Sequence, residues 1–126
     1  MNGYVAAMIR YGTFRGRAGR PEFWIFVLIF TLLLTAASFL DGALASFVGV
    51  NVGSAQNPIG VVAPLCYLVH LVPAIAVTVR RLHDTDRSGW LYLLSLVPVA
   101  NIVLIVFLCR KGSEGPNRFG TATDPI

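Results

Sequence analysis

The sequence predicts an all-α integral membrane protein with three apolar helical segments. Two observations carry that expectation. Residues 23–40, 42–79 and 88–109 contain no Asp, Glu, Lys or Arg. Each run can hold a helix of roughly 20 residues, about 30 Å at 1.5 Å per residue, which is the thickness of a bilayer's hydrocarbon core. Charged residues make up only 13% of the chain and hydrophobic ones 56%, whereas a soluble domain carries charge on about a quarter of its positions. Such a chain has room for one membrane domain (residues 23–109) between a basic cytoplasmic leader (residues 1–22) and a polar tail (residues 110–126), with no separate catalytic domain.

The leader opens with Tyr4, Met8 and Tyr11 at helical spacing. That pattern suits either a helix lying in the membrane interface or a flexible cytoplasmic segment. Residues 14–20 are too glycine-rich for a stable helix. Pro21 then fits a first helical turn, where its missing N–H loses nothing. Glu22 favours the positive end of the helix dipole, and Trp24 sits where an interfacial aromatic belongs. The first span is expected from near Pro21 to about Leu40. Ala43-Leu44-Ala45 before Ser46 has the look of a signal-peptide cleavage site, but the long apolar run and long leader favour retention as a membrane helix.

Residues 41–58 read as a loop on the translocated side, with one acid and no base. A second span is expected over residues 59–79, with Pro64 and Pro73 inside it as potential kinks. Residues 80–87 form the most polar stretch between apolar runs. Ser88 is a natural N-cap for the third run, and Trp90 repeats the placement of Trp24. That third run is ambiguous, because Pro98-Val99-Ala100-Asn101 at its midpoint marks either a kink or the turn of a re-entrant hairpin. Cys66 and Cys109 lack the spacing of a metal or redox pair and read as small buried hydrophobes.

Lys and Arg number four in the leader, none in the first loop, three in the second loop and three in the tail. The positive-inside rule therefore puts the leader and second loop in the cytoplasm. Three full spans, the first choice, strand the basic tail outside. A hairpin returns it to the cytoplasm, but each leg then reaches only about half-way, roughly 15 Å for ten residues. Sequence alone leaves both open.

Three motifs stand out: Phe14-Arg15-Gly16-Arg17-Ala18-Gly19-Arg20-Pro21-Glu22-Phe23-Trp24, Arg80-Arg81-Leu82-His83-Asp84-Thr85-Asp86-Arg87-Ser88-Gly89-Trp90, and Gly115-Pro116-Asn117-Arg118-Phe119-Gly120. In this order and spacing they resemble the bacterial family catalogued as domain of unknown function 805, the YhaH-like inner-membrane proteins. The likeness covers the chain from about Phe14 to Pro125. It departs from the family pattern where Thr121-Ala122-Thr123 intervene before Asp124-Pro125. The resemblance implies a small multi-spanning inner-membrane protein and no particular activity.

The candidate site is the cytoplasmic face, where Arg17, Arg20 and Glu22 can meet Arg80, Arg81, His83, Asp84, Asp86 and Arg87. Arginines beside a membrane attract anionic headgroups and grip phosphate or carboxylate with bidentate geometry. The competing reading is structural, with pairs of the Arg20–Asp84 type locking the two segments together. Two polar groups fall inside apolar runs, His70 and Asn101. A hydrogen bond between them is expected to link the spans, and a proton-relay role is the alternative. His83-Asp84-x-Asp86 has too few companion ligands for a metal site. No nucleotide-binding, hydrolase, metalloprotease or haem motif occurs, and no cofactor is expected.

The function expected is a non-enzymatic inner-membrane protein whose basic cytoplasmic face engages anionic lipid or a protein partner, itself a second copy or another membrane protein. Nucleic acid is not an expected partner. An oligomeric channel or small-solute transporter using the Pro-kinked spans and His70 is the alternative.

Overall fold

The computed structural model describes residues 3–54, 56 and 59–121. Among them the elements are helical: α1 (Gly3–Ile9), α2 (Arg20–Phe47), α3 (Val62–Asp84), an eight-residue 3-10 helix (Gly89–Leu96) and α4 (Pro98–Cys109). With 28 and 23 residues, α2 and α3 are roughly 42 and 35 Å long, enough to cross a bilayer. The chain divides into two compact units, Leu28–Leu71 on the one hand and Met1–Val27 with Val72–Ile126 on the other.

In the second of these, the terminal unit, the usual burial rule is inverted. Arg80 and Arg81 are fully buried, Asp84 is 3% exposed and Arg17 is 6% exposed. Meanwhile Val99, Ile102, Ile105 and Val106 of α4 lie exposed. Charge inside and large aliphatic side chains outside is the pattern of a protein solvated by lipid.

In the described part of the leader, Gly3–Ile9 form a helix. Gly3 and Ala7 are the buried positions of α1, and a Cβ on Gly3 would come within 2.5 Å of the Glu22 Cα. That glycine lets α1 lie backbone to backbone against the start of α2, and Tyr4 stacks on Phe26 at 5.8 Å between ring centres. The small residues therefore form the buried face, while Tyr11 of the expected aromatic stripe is exposed.

The third apolar run is not one continuous helix. Ser88 caps the 3-10 helix by accepting from the Trp90 N–H, as its sequence position predicts. Val97 adopts extended φ/ψ, and Pro98 opens α4. The chain reverses there. The carbonyls of Leu108 and Arg110, at the far end of α4, both accept from the Arg81 guanidinium, and Arg81 precedes the 3-10 helix. Eight residues at about 2.0 Å and twelve at about 1.5 Å give two legs of roughly 16–18 Å. The preference for a third full span is corrected in favour of a hairpin.

In the central unit, α2 continues past Leu40 to Phe47, so Asp41 belongs to a helix and not to a loop. Its carboxylate closes on the other helix of the unit: Oδ1 accepts from the N–H groups of Val61 and Val62 at 2.9 and 2.8 Å, and Oδ2 from Ala63 at 2.7 Å. Three of the amides that the start of α3 leaves without helical partners are thus satisfied by one side chain. Pro64 falls in that first turn, where it removes no helical hydrogen bond, and Pro73 is the proline inside α3. The described part of the loop crosses back through a Val52 N–H to Ile59 carbonyl bond of 2.9 Å. Pro58 lies outside the described residues, as do Thr123, Asp124 and Pro125 of the tail.

Candidate functional site

The three motifs meet in the terminal unit, and Asp84 is the point on which they converge. As the last residue of α3, it receives Arg17 of the leader, with Nε at 2.9 Å and Nη2 at 2.8 Å from Oδ1. On its other oxygen, Arg81 of its own helix donates from Nη1 to Oδ2 at 2.5 Å. The Asp84 backbone carbonyl takes the tail, accepting from Ser113 N at 2.7 Å and Ser113 Oγ at 3.1 Å.

Each arginine then reaches further. Arg17 donates to the carbonyls of Gly115 and Ser113, both at 2.7 Å. Arg81 donates to the carbonyls of Leu108 (3.0 Å) and Ala18 (3.5 Å), and to that of Arg110. A planar guanidinium with five fixed donors suits this bridging of carbonyls, and a lysine ammonium does not. Gly112 is required beside the hub, because a side chain there would run into the Asp84 carboxylate.

A second ion pair joins the same segments. Arg80 Nη1 meets Glu22 Oε1 at 2.5 Å, while the Arg80 carbonyl accepts from Ala18 N at 2.9 Å. Arg80 is fully buried, yet its Nε and Nη2 have no hydrogen-bond partner among the described residues. The Glu22 pair is therefore less completely satisfied than the Asp84 hub, where every guanidinium nitrogen of both arginines has an acceptor.

His83 packs the tail from the other side. Its Nδ1 lies 3.0 Å from the Gly16 carbonyl, so Nδ1 carries the proton and Nε2 of the neutral ring is left as an acceptor. The ring stacks on Phe119 with centres 3.9 Å apart and planes 3° from parallel. The Asn117 side chain donates to the His83 carbonyl at 3.0 Å and accepts from Phe119 N at 2.9 Å. Those bonds hold the turn of the third motif, where Gly120 has φ of +140°, a value suited to glycine.

The expected site residues thus divide. Arg17, Glu22, Arg80, Arg81, His83 and Asp84 come together. Arg20 is exposed and makes no ion pair among the described residues, so the arginine that the leader sends to Asp84 is Arg17. Arg87 is exposed, with its guanidinium 4.8 Å from the Phe107 ring centre, and Asp86 forms an exposed pair with Arg118 at 3.2 Å. Ser113, Asn117 and Phe119 join the cluster without any individual sequence signal, although the third motif contains two of them. No cluster of three or more potential metal ligands occurs among the described residues.

The two polar residues of the apolar runs lie in different units. His70 is 6% exposed, stacks on Phe30 at 4.9 Å and shares a 2.8 Å hydrogen bond from Nδ1 to the Cys66 carbonyl one turn earlier. Asn101 sits in the first turn of α4, half-buried.

The family model "Protein of unknown function (DUF805)" matches residues 11–121, the stretch that contains all three motifs. Among similar proteins, inner membrane protein YhaH of Escherichia coli K12 is 38% identical, with 95% of this chain and 94% of the relative covered. Inner membrane protein YhaI of the same strain is 36% identical over 95% of this chain and 93% of its own. The uncharacterized protein YiiR of that strain is 30% identical over 90% and 88%. No solved structure matches. With the family model covering the whole polar cluster and relatives aligned nearly end to end, this chain belongs to the family of unknown function 805.

Proposed function

We propose that this chain is a non-enzymatic integral protein of the bacterial inner membrane whose polar cap lies in the cytoplasm and binds anionic lipid headgroups. In this reading α2 and α3 span the bilayer, and the 3-10 helix and α4 re-enter from the cytoplasmic side. The basic leader, second loop and tail then share one face, in accord with the positive-inside rule.

The observation that carries the reading is how the cationic side chains divide between inside and outside. Arg17, Arg80 and Arg81 are buried among Asp84, Glu22 and backbone carbonyls, which makes them the lock of the cap and not its docking face. Arg10, Arg15, Arg20, Arg87, Arg110, Lys111 and Arg118 remain exposed in the same unit, against Asp86 and Glu114 as the exposed acids among the described residues. Each cation near an anionic leaflet contributes about 1 kcal/mol. An excess of five is a strong attraction for acidic headgroups and repels cationic partners.

The test replaces exposed cations and leaves the lock intact. Protein carrying Arg15→Gln, Arg20→Gln, Arg87→Gln and Lys111→Gln, placed in nanodiscs of mixed phosphatidylglycerol and phosphatidylcholine, should lose the enrichment of phosphatidylglycerol shown by the parent. Equal enrichment in parent and variant would refute the reading. A C-terminal reporter fusion should be active on the cytoplasmic side. A solute-path role turns on His70, but its ring is buried, stacked and bonded to its own helix, which favours packing.

A further inference from the structure

The terminal unit contains a cleft of about 560 Å³, within the range of small-molecule sites. Phe14, Ile75, Val79, Leu93 and Phe119 form its apolar wall, and His83 and Ser88 bring polar atoms to it. All three family motifs contribute to this lining. Gly89 keeps it open between α3 and the 3-10 helix, since a Cβ there would stand 2.7 Å from Val79 Cγ1 and 3.4 Å from His83 Nε2.

Two of the polar side chains have defined roles. Nδ1 of His83 is committed to the Gly16 carbonyl, so the neutral ring offers Nε2 to the cleft as an acceptor and asks for a donor. The Ser88 hydroxyl oxygen accepts from Trp90 N at 3.3 Å, which leaves its proton to give. Three lining residues have an exposed cation as their neighbour in the chain: Arg15 after Phe14, Arg87 before Ser88 and Arg118 before Phe119. The Arg118 guanidinium rests 4.8 Å from the Phe119 ring centre while also bonding Asp86. Trp90, 80% exposed, and Tyr92 also line the cleft, amphipathic rings of the kind found at a membrane interface.

From this arrangement we propose that the cleft holds one anionic glycerophospholipid whose headgroup carries free hydroxyls. An acyl chain lies along the apolar wall, a headgroup hydroxyl donates to His83 Nε2, and the phosphate meets the cations at the rim. The cleft commits to lipid because its wall is apolar, and to an acidic lipid because Arg118 rests on its Phe119 wall and two further exposed cations flank its lining residues in the chain. It commits to a hydroxylated headgroup because His83 needs a donor. This inference rests on the lipid-binding reading above and narrows it to one site and one headgroup class.

The experiment counts lipids retained by the full-length protein in detergent, by native mass spectrometry, after titration with phosphatidylglycerol, phosphatidylethanol or phosphatidylcholine. The unmodified protein should hold one phosphatidylglycerol about three- to tenfold more tightly than phosphatidylethanol, which has the same charge and no headgroup hydroxyl, the factor that one net hydrogen bond supplies. His83→Phe should bring the two acidic lipids level. Ile75→Phe with Leu93→Phe, which fills the cleft, should release the retained lipid, and soluble glycerol phosphate should not displace it. Equal retention of both acidic lipids by the unmodified protein overturns the inference without any variant. So does unchanged retention after filling the cleft, which would leave charge-driven binding elsewhere on the cap intact. Retention of phosphatidylcholine equal to both acidic lipids would overturn the broader reading as well.

Discussion

Asp41 and Asp84 are both buried carboxylates that tie two segments together, yet they are neutralised in different ways. Asp84 in the terminal unit is paired with two arginines and reinforced by the tail. Asp41 in the central unit is met instead by three backbone N–H groups at the start of α3. The sequence explains the contrast, since residues 42–79 contain no Lys or Arg. Where the neighbouring chain offers no cation, the partial positive charge of a helix N-terminus takes its place. A glycine stands against each carboxylate, Gly112 beside Asp84 and Gly60 beside Asp41. The two locks thus share a steric requirement and differ in their source of positive charge.

The largest effect is expected at the two-arginine hub. Asp84→Asn leaves Arg17 and Arg81 buried without a counter-charge, and breaking such a pair costs about 3–5 kcal/mol. Equilibrium unfolding in detergent should show that loss. If Asp84→Asn proves no more damaging than Asp41→Asn, charge pairing is not what separates the two locks.

Next come the glycines. Gly112→Ala and Gly60→Ala should each destabilise by about 1–3 kcal/mol, because the new methyl displaces a carboxylate from a packed position. Thermal unfolding should show similar losses for both, which would confirm that the steric requirement is common to the two ends.

Asp41→Ala removes a cap without stranding a formal charge and should cost about 0.5–2 kcal/mol. Asp41→Asn, which keeps an acceptor oxygen, should fall below it. Hydrogen exchange at Val61, Val62 and Ala63 should accelerate in Asp41→Ala, with little change at Ser113.

The smallest effect is expected from Lys111→Gln. Its pair with Glu114 is 73% and 87% exposed, and such pairs contribute at most about 1 kcal/mol. A melting temperature close to that of the parent is the outcome that keeps exposed and buried charges distinct.

Much of this architecture is legible in the residues. The charge-free runs mark α2 and α3, Ser88 announces its cap, and the resemblance on three motifs identifies the segments that assemble. Local signals fail where a distant partner decides. Asp41-Gly42 looks like a helix stop, but the bond from Asp41 to the α3 amides stabilises a helix that continues to Phe47. Pro98 permits either a kink or a turn, and the choice is made by Arg81, which grips the carbonyls at the end of α4 from 27 and 29 residues away. Which arginine of the leader faces Asp84 is also unreadable, because a glycine-rich stretch has no periodicity to assign an inward side. The site is legible as a location, and its pairings are not.

That grip has a consequence for biosynthesis. Asp84 is made soon after Arg81, but the carbonyls that complete the shells of Arg17 and Arg81 come later, so the nascent chain holds a charge-paired hub with part of its acceptors still unmade. Closure awaits arrival of residues 108–115, and a product interrupted ahead of them would keep its counter-charge and leave buried guanidinium donors without acceptors.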